Sequence, residues 1–199
     1  MRPKEPKSPE DILRKAIPLF AKSGYSGVSM RQIARELGIS AAALYHHFPD
    51  KQNLYLSAVD LVFREKSERM SEAFHAGGSL EERLYGVLLQ FIRQVGSDHT
   101  FHAVMQRELL EAEPERLRIM ADRIFKQFFG EMLALARELS DDLDPNLVAG
   151  SIASLVLQHF QARALRPFLE GYQPWHEEPE KLARHFTQII LNGTTGQPT

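Results

Sequence analysis

The chain has 199 residues, 43% of them hydrophobic, enough for one large domain or a small domain joined to a larger one, and it contains no cysteine. Without a thiol, a disulfide framework, a thiolate metal site and a cysteine nucleophile are excluded. The net charge of −2 conceals a division: residues 1–51 hold nine Lys or Arg against five acids, while the remainder holds fifteen against twenty-one.

A basic first quarter on an acidic body is the pattern expected of a polyanion-binding head carried by a separate regulatory or assembly module. The opening residues MRPKEPKSPED have no apolar run, so no secretory signal is expected. The longest nearly apolar stretch, 147–157, is shorter than a membrane span and is interrupted by Gly150, Ser151 and Ser154. A soluble, cytoplasmic protein is the expectation.

Apolar positions recur at three and four and no run alternates with period two, so every segment long enough to judge reads as helix. An all-α fold of about nine helices is expected, at about 9–23, 30–37, 41–47, 51–75, 79–96, 99–111, 114–140, 145–169 and 179–192. Four starts carry side chains able to accept from the free N–H groups of a first turn: Ser8 before Pro9 and Asp11, Ser29 before Gln32, Ser79 before Glu82, and Asp144 before Pro145. Gly24, Gly38, Gly77-Gly78 and Gly193 mark helix ends, and Pro18 inside the first helix predicts a kink. Only 1–7 and 194–199 read as disordered.

The second helix sets Met30, Ile33, Ala34 and Leu37 on one face and leaves Arg31, Gln32 and Arg35 outward. Gly38 permits a tight turn, Ser40 caps, and the third helix, AAALYHHF, turns Leu44 and Phe48 back to the same core. Helix, short glycine-containing turn and second helix is the arrangement that places the second helix in a DNA major groove. Ala41, Ala42 and Ala43 would allow close approach to the groove wall, and an alanine methyl can pack on a thymine methyl. Arg31 is the candidate for a guanine contact, and Tyr45, His46 and Lys51 suit phosphates. With Gln32 and Ser40 these form the expected DNA-facing set. A metal reading of His46-His47 is disfavoured because adjacent helical side chains point about 100° apart; His47 is expected to turn inward.

The stretch from Ile12 to Leu54, with AIPLFAKSGYSGVSMRQIARELGIS running into AAALYHHFPDKQNL, resembles the DNA-binding domain of the TetR family of bacterial transcriptional regulators. Phe20, Gly24, Ile33, Ala34, Leu37, Gly38, Leu44, Tyr45, Phe48, Lys51 and Leu54 fall at that family's spacing. Pro18 is no part of the pattern, and the alanine run is poor in polar base readers. The resemblance implies an all-helical homodimer that binds a palindromic operator and releases it when a small molecule enters the larger domain. It implies a helix-turn-helix domain over 1–50 and an effector-binding and dimerisation domain over 51–199.

In the longer part, IFKQFFGEML sets Ile124, Phe125, Phe128, Phe129, Met132 and Leu133 around most of one helix. Opposite are Leu84, Leu88, Phe91 and Ile92, then Phe101, Val104 and Met105, then Val148, Ile152, Leu155 and His159. Polar residues among these stripes, His102, Gln106, Gln127, His159 and Arg163, are the pattern of a mostly apolar ligand pocket with a few polar anchors. The expected effector set is therefore Leu88, Phe91, His102, Met105, Gln106, Ile124, Gln127, Phe128, Ile152, Leu155, His159 and Arg163, with Arg163 favouring an acidic molecule. Each stripe taken by itself reads as plain core before it reads as pocket wall, and each polar residue reads equally as a satisfied core group. His99 and His102 lack further ligands, so no metal and no cofactor are expected. Ala153, Leu157, Phe160 and Ala164, with Leu182, Phe186, Ile189 and Ile190, are expected to form a two-fold dimer surface, the alternative being closure of the monomer core. No ordered nucleophile, base and orienting group and no phosphate loop point to an enzyme. The alternative to a ligand-controlled repressor is a DNA-binding or architectural protein without an effector.

Overall fold

The computed structural model of the protein describes residues 8–194, and among these all regular structure is helical. The expected caps Ser8, Ser29, Ser40, Ser79 and Asp144 each open a helix, and Asp50, Asp98 and Glu113 open three more. Ser8 Oγ accepts from Asp11 N–H at 3.1 Å and opens α1, Pro9–Ser23. Ser29 Oγ accepts from Gln32 N–H at 3.2 Å at α2, Met30–Leu37, and Ser40 Oγ from Ala43 N–H at 3.0 Å at α3, Ala41–His47. Asp50 does the same for α4, Lys51–Phe74, accepting from Asn53 N–H at 2.7 Å. At α5, Leu80–Ser97, Ser79 N–H donates to Glu82 Oε2 at 2.8 Å and Glu82 N–H to Ser79 Oγ at 3.2 Å, a reciprocal box. Asp98 caps α6, His99–Glu111, and Glu113 caps α7, Pro114–Met120. After α8, Lys126–Leu139, Asp144 caps α9, Pro145–Gln161, and α10 is Pro179–Thr194.

Two expected helices are corrected. The span 114–140 is α7, a π-helical turn at Ala121–Phe125, and α8. Met120 and Ile124 belong to one core, Met132 and Leu135 to another, and the wider turn rotates the residues that follow it about the helix axis. The span 145–169 stops at Gln161, because Pro167 has no N–H and its ring would meet the carbonyl of Arg163. Short 3₁₀ turns at Arg166–Phe168 and Pro174–Glu177 follow instead. Helix α1 runs through the exposed Pro18 without a break. The termini read as disordered lie outside the described residues, apart from Thr194, which ends α10.

The chain gathers into two compact units: residues up to Glu65 with Asp98–Phe125, and Lys66–Ser97 with residues from Lys126 onward. The first is larger than a head ending at residue 50. Three short helices bury too little apolar surface to stand alone. Ile12, Phe20, Ile33, Leu37 and Leu44 are therefore joined in one core by Leu54, Tyr55 and Val59 of α4, Val104 of α6, and Met120 and Ile124. The second unit packs Leu84, Leu88 and Ile92 of α5 with Met132 and Leu135 of α8, Val148 and Ile152 of α9, and Leu182 and Phe186 of α10. Gly96 lets α5 approach α9, since a Cβ there would lie 2.9 Å from Phe160 Cε1. Among the described residues no helix is long and apolar enough to cross a membrane.

Candidate functional site

The turn between α2 and α3 is closed by Gly38, at φ 65°, with Gly38 N–H donating to Arg35 O and Ile39 N–H to Ala34 O, both at 3.0 Å. Ile33, Ala34, Leu37 and Leu44 are buried beneath it, which fixes the opposite face outward. That face exposes Arg31, Ser40, Ala42, Tyr45 and His46, with Gln32, Ala41 and Ala43 half-buried at its edge. His47 is half-buried, its ring 6.4 Å from that of Phe48. A groove of about 560 Å³ runs between the loop and α2 start, residues 26–32, and Tyr45 and Lys51. Its lining includes two cations, the Ser26, Ser29 and Tyr45 hydroxyls and the first residues of α2, and no carboxylate. Free N–H groups and cations together suit a phosphate.

Lys51 is more constrained than a surface phosphate contact. Its Nζ donates to Tyr25 O at 3.0 Å and lies 4.2 Å from the centre of the Tyr25 ring. Partial burial, and then the charge of Arg116, hold its pKa below the usual lysine value, with Glu111 opposing. The Arg116 guanidinium lies 4.0 Å from the centre of the same ring. Arg116 Nε donates to Glu108 Oε1 at 2.9 Å, and Glu108 Oε2 accepts from Tyr55 O–H at 2.9 Å. Glu108 and Arg116 are 1% and 6% exposed, so this is a buried ion pair. Burial opposes the charge of Arg116, but the hydrogen bond and charge of Glu108, with the charges of Glu111 and Glu113, together outweigh it and raise its pKa. Burial and then Glu108 push the Tyr55 phenol well up. None of Tyr25, Glu108 and Arg116 was among the expected site residues. A signal existed for one: Phe101, Val104 and Glu108 continue a single stripe at spacings of three and four.

The expected effector residues are divided between the units. His102, Met105, Gln106 and Ile124 belong to the first; Leu88, Phe91, Gln127, Phe128, Ile152, Leu155, His159 and Arg163 belong to the second. Leu88 and Ile124 are core side chains, and Phe91 and Phe128 meet edge to face at 5.7 Å. Gln127 is exposed and donates to Glu131 at 3.2 Å. Ile152, Leu155 and His159 line an open apolar groove of about 880 Å³ along α9 and α10, together with Leu147 and Ile189. Arg163 instead borders a polar cavity of about 730 Å³ with Arg69, Arg93, Glu72 and Glu177, and its Nε pairs with Glu177 at 3.0 Å. His159 receives a hydrogen bond at Nε2 from Arg166, which also donates to the His159 carbonyl and pairs with Glu177 at 2.8 Å. Burial and then the Arg166 charge push the His159 pKa down to about 4.

Of the expected dimer residues, Leu182, Phe186 and Ile190 are buried within the second unit, where α10 packs on α5. Phe160 packs on Gly96 of α5, and Ala153 is half-buried. Leu157, Ala164 and Ile189 remain exposed, as do Leu143 and Leu147, and Phe186, Ile189 and Ile190 border the open groove along α9 and α10. Among the described residues no group of three or more His, Asp or Glu is placed to hold a metal ion.

Residues 12–58 match the family of bacterial regulatory proteins described as tetR family. The chain is 33% identical over 131 residues to the HTH-type transcriptional repressor AcnR of Corynebacterium efficiens, covering 58% of this chain and 67% of that one. It is 34% identical over 107 residues to AcnR of Corynebacterium glutamicum, covering 48% of this chain and 55% of that one, so it spans about half the length of that relative. The fold matches the crystal structure of AibR in complex with isovaleryl coenzyme A and operator DNA, with a TM-score of 0.71 at 20% identity, over 93% of this chain and 98% of that one.

Proposed function

Since the chain belongs to the tetR family of bacterial regulatory proteins, we propose that it is a cytoplasmic transcriptional repressor that binds an inverted-repeat DNA site as a homodimer and releases it when a small molecule binds. The observation that carries this reading is the carboxylate-free groove at residues 26–32, Tyr45 and Lys51, beside an α3 face of alanine, tyrosine and histidine. In this reading α3 enters the major groove, Ala42 packs on a thymine methyl, Arg31 reads a guanine, and Tyr45, His46 and Lys51 hold phosphates. Two copies joined through the exposed Leu147, Leu157 and Ile189 face would present two such helices about 34–36 Å apart, one helical turn of DNA.

Release needs a molecule that binds the two conformers unequally; a coupling of about 1–3 kcal/mol changes DNA affinity some 5- to 150-fold. In the second unit Arg69, Arg93 and Arg163 lie beside Ile92 and Phe160, with Arg93 paired to Glu180 and Arg163 to Glu177, so an amphipathic effector with an acidic end would bind there by displacing a carboxylate. The AibR complex makes acyl thioesters of coenzyme A the first class to test. As a regulator the chain carries out no reaction of its own.

Selection of random-sequence duplexes by the purified protein at near-physiological salt tests the reading, followed by titration of the selected duplex with candidate effectors. Enrichment of an inverted repeat and its release by an effector are expected. Salt-dependent binding with no enriched repeat overturns the operator, and binding insensitive to every effector that raises the melting temperature overturns the switch.

A further inference from the structure

The loop that walls the phosphate-facing groove, with the last turn of α1 before it, is gripped from α6 and α7 at four points, all within the first unit. The Arg116 guanidinium lies on the Tyr25 ring, and Arg107 donates to Lys22 O at 3.1 Å. Ser26 Oγ is 3.5 Å from Glu111 Oε2. At Gly24, φ 72°, a Cβ would come within 2.7 Å of Glu111 Oε1, so glycine is what admits that carboxylate. The contacts form one chain: Tyr55 to Glu108 to Arg116 to the Tyr25 ring to Lys51. Lysine carries its charge on a flexible four-carbon stem, and here both the carbonyl and the ring that hold the ammonium belong to Tyr25. Whatever holds Tyr25 therefore places Lys51. Arg116 repels Lys51, but Glu108 and Glu111 pair with Arg116 at 2.9 and 3.0 Å, which leaves the Lys51 charge to the groove.

We propose that Arg116 of α7, held by Glu108, is a positioning residue for the DNA contact of Lys51 and acts through the ring of Tyr25; this rests on the DNA-binding reading above. Arg116 itself touches no DNA. It orders the loop in advance, so that binding does not have to immobilise it.

The test is a thermodynamic cycle on the selected duplex, with affinity measured by fluorescence anisotropy across a range of salt. Lys51→Met is expected to weaken binding about tenfold and to lower the salt slope by about one. Glu108→Gln/Arg116→Met, which removes the ion pair without leaving a lone buried charge, is expected to weaken binding about 5- to 10-fold and to lower the slope likewise. Adding Lys51→Met to that variant should cost less than about twofold more, because both act on one contact. Additive losses, or a Glu108→Gln/Arg116→Met protein that binds like wild type, overturn the inference. Tyr25→Leu keeps the carbonyl, removes the ring and must show the same non-additivity with Lys51→Met; it decides the matter where the ion-pair variant does not fold by circular dichroism. Wild-type protein that binds no duplex in a salt-dependent way overturns the DNA-binding reading and this inference with it, whereas failure of the cycle alone leaves that reading standing.

Discussion

The unit that carries the helix-turn-helix holds an ion pair inside its core, Glu108 and Arg116, at 1% and 6% exposure. Among the described residues, the other unit buries apolar side chains and one hydroxyl, Thr187, which donates to Ala183 O at 2.8 Å; its charged network, Arg166, Glu177 and Arg163, lies at the margin. Apolar packing is non-directional and accepts small repacking, whereas a buried pair satisfied by three partners accepts only one placement. The difference teaches where placement matters: the directional contacts sit behind Tyr25 and Lys51, and the permissive ones sit beneath an apolar face that a second copy can cover.

The largest effect that would break this contrast is expected at Arg116. Arg116→Met leaves the buried Glu108 carboxyl without its ion-pair partner, and should cost about 3–5 kcal/mol in urea or thermal unfolding. Glu108→Gln/Arg116→Met should recover much of that, since no lone charge remains; equal losses would mean the pair acts only by filling space. In the second unit Leu182→Ala should cost about 2–5 kcal/mol as a core truncation. By contrast, Ile189→Glu should leave the monomer's stability nearly unchanged and shift light scattering from dimer to monomer. A dimer that survives Ile189→Glu and Leu147→Glu together would move the interface elsewhere.

A smaller effect is expected with pH. His159 faces Arg166, Arg163, His176 and Glu177, and its folded pKa of about 4 lies below the unfolded value of 6.5. The unfolded chain therefore binds this proton first, so stability is retained above pH 6.5 and falls as pH drops towards 4, by at most about 1.4 kcal/mol per unit. His159→Gln should flatten that part of the curve, and a parallel fall in both proteins would remove His159 as its source. The smallest expected loss is about 1 kcal/mol for Ser29→Ala, from the N–H of Gln32 left without its cap; no change in the melt would show that water replaces Ser29 there.

Much of the fold was legible because its signals are local. Ser8, Ser29, Ser79 and Asp144 act on N–H groups two or three residues away, and each opens a helix as read. The helix-turn-helix face was legible for the same reason: spacings of three and four inside eight residues decide which side is buried, and Gly38 declares the turn. The last helices were read less well. Leu182, Phe186, Ile189 and Ile190 form one apolar cluster in sequence, yet three of them are buried in the second core and Ile189 stays exposed. The effector residues were read as a single pocket, and the units divide them.

From the sequence alone came what depends on neighbours along the chain: the all-helical class, the helix starts, the helix-turn-helix face and the family resemblance. The tertiary structure decided what depends on residues far apart in number. Tyr25 meets Arg116, and Tyr55 meets Glu108 across 53 positions, although neither pair shares a periodic pattern. A buried charge is tolerable only where the fold supplies its partner, so such a pair is determined by how the helices pack and not by the order of residues within any one of them.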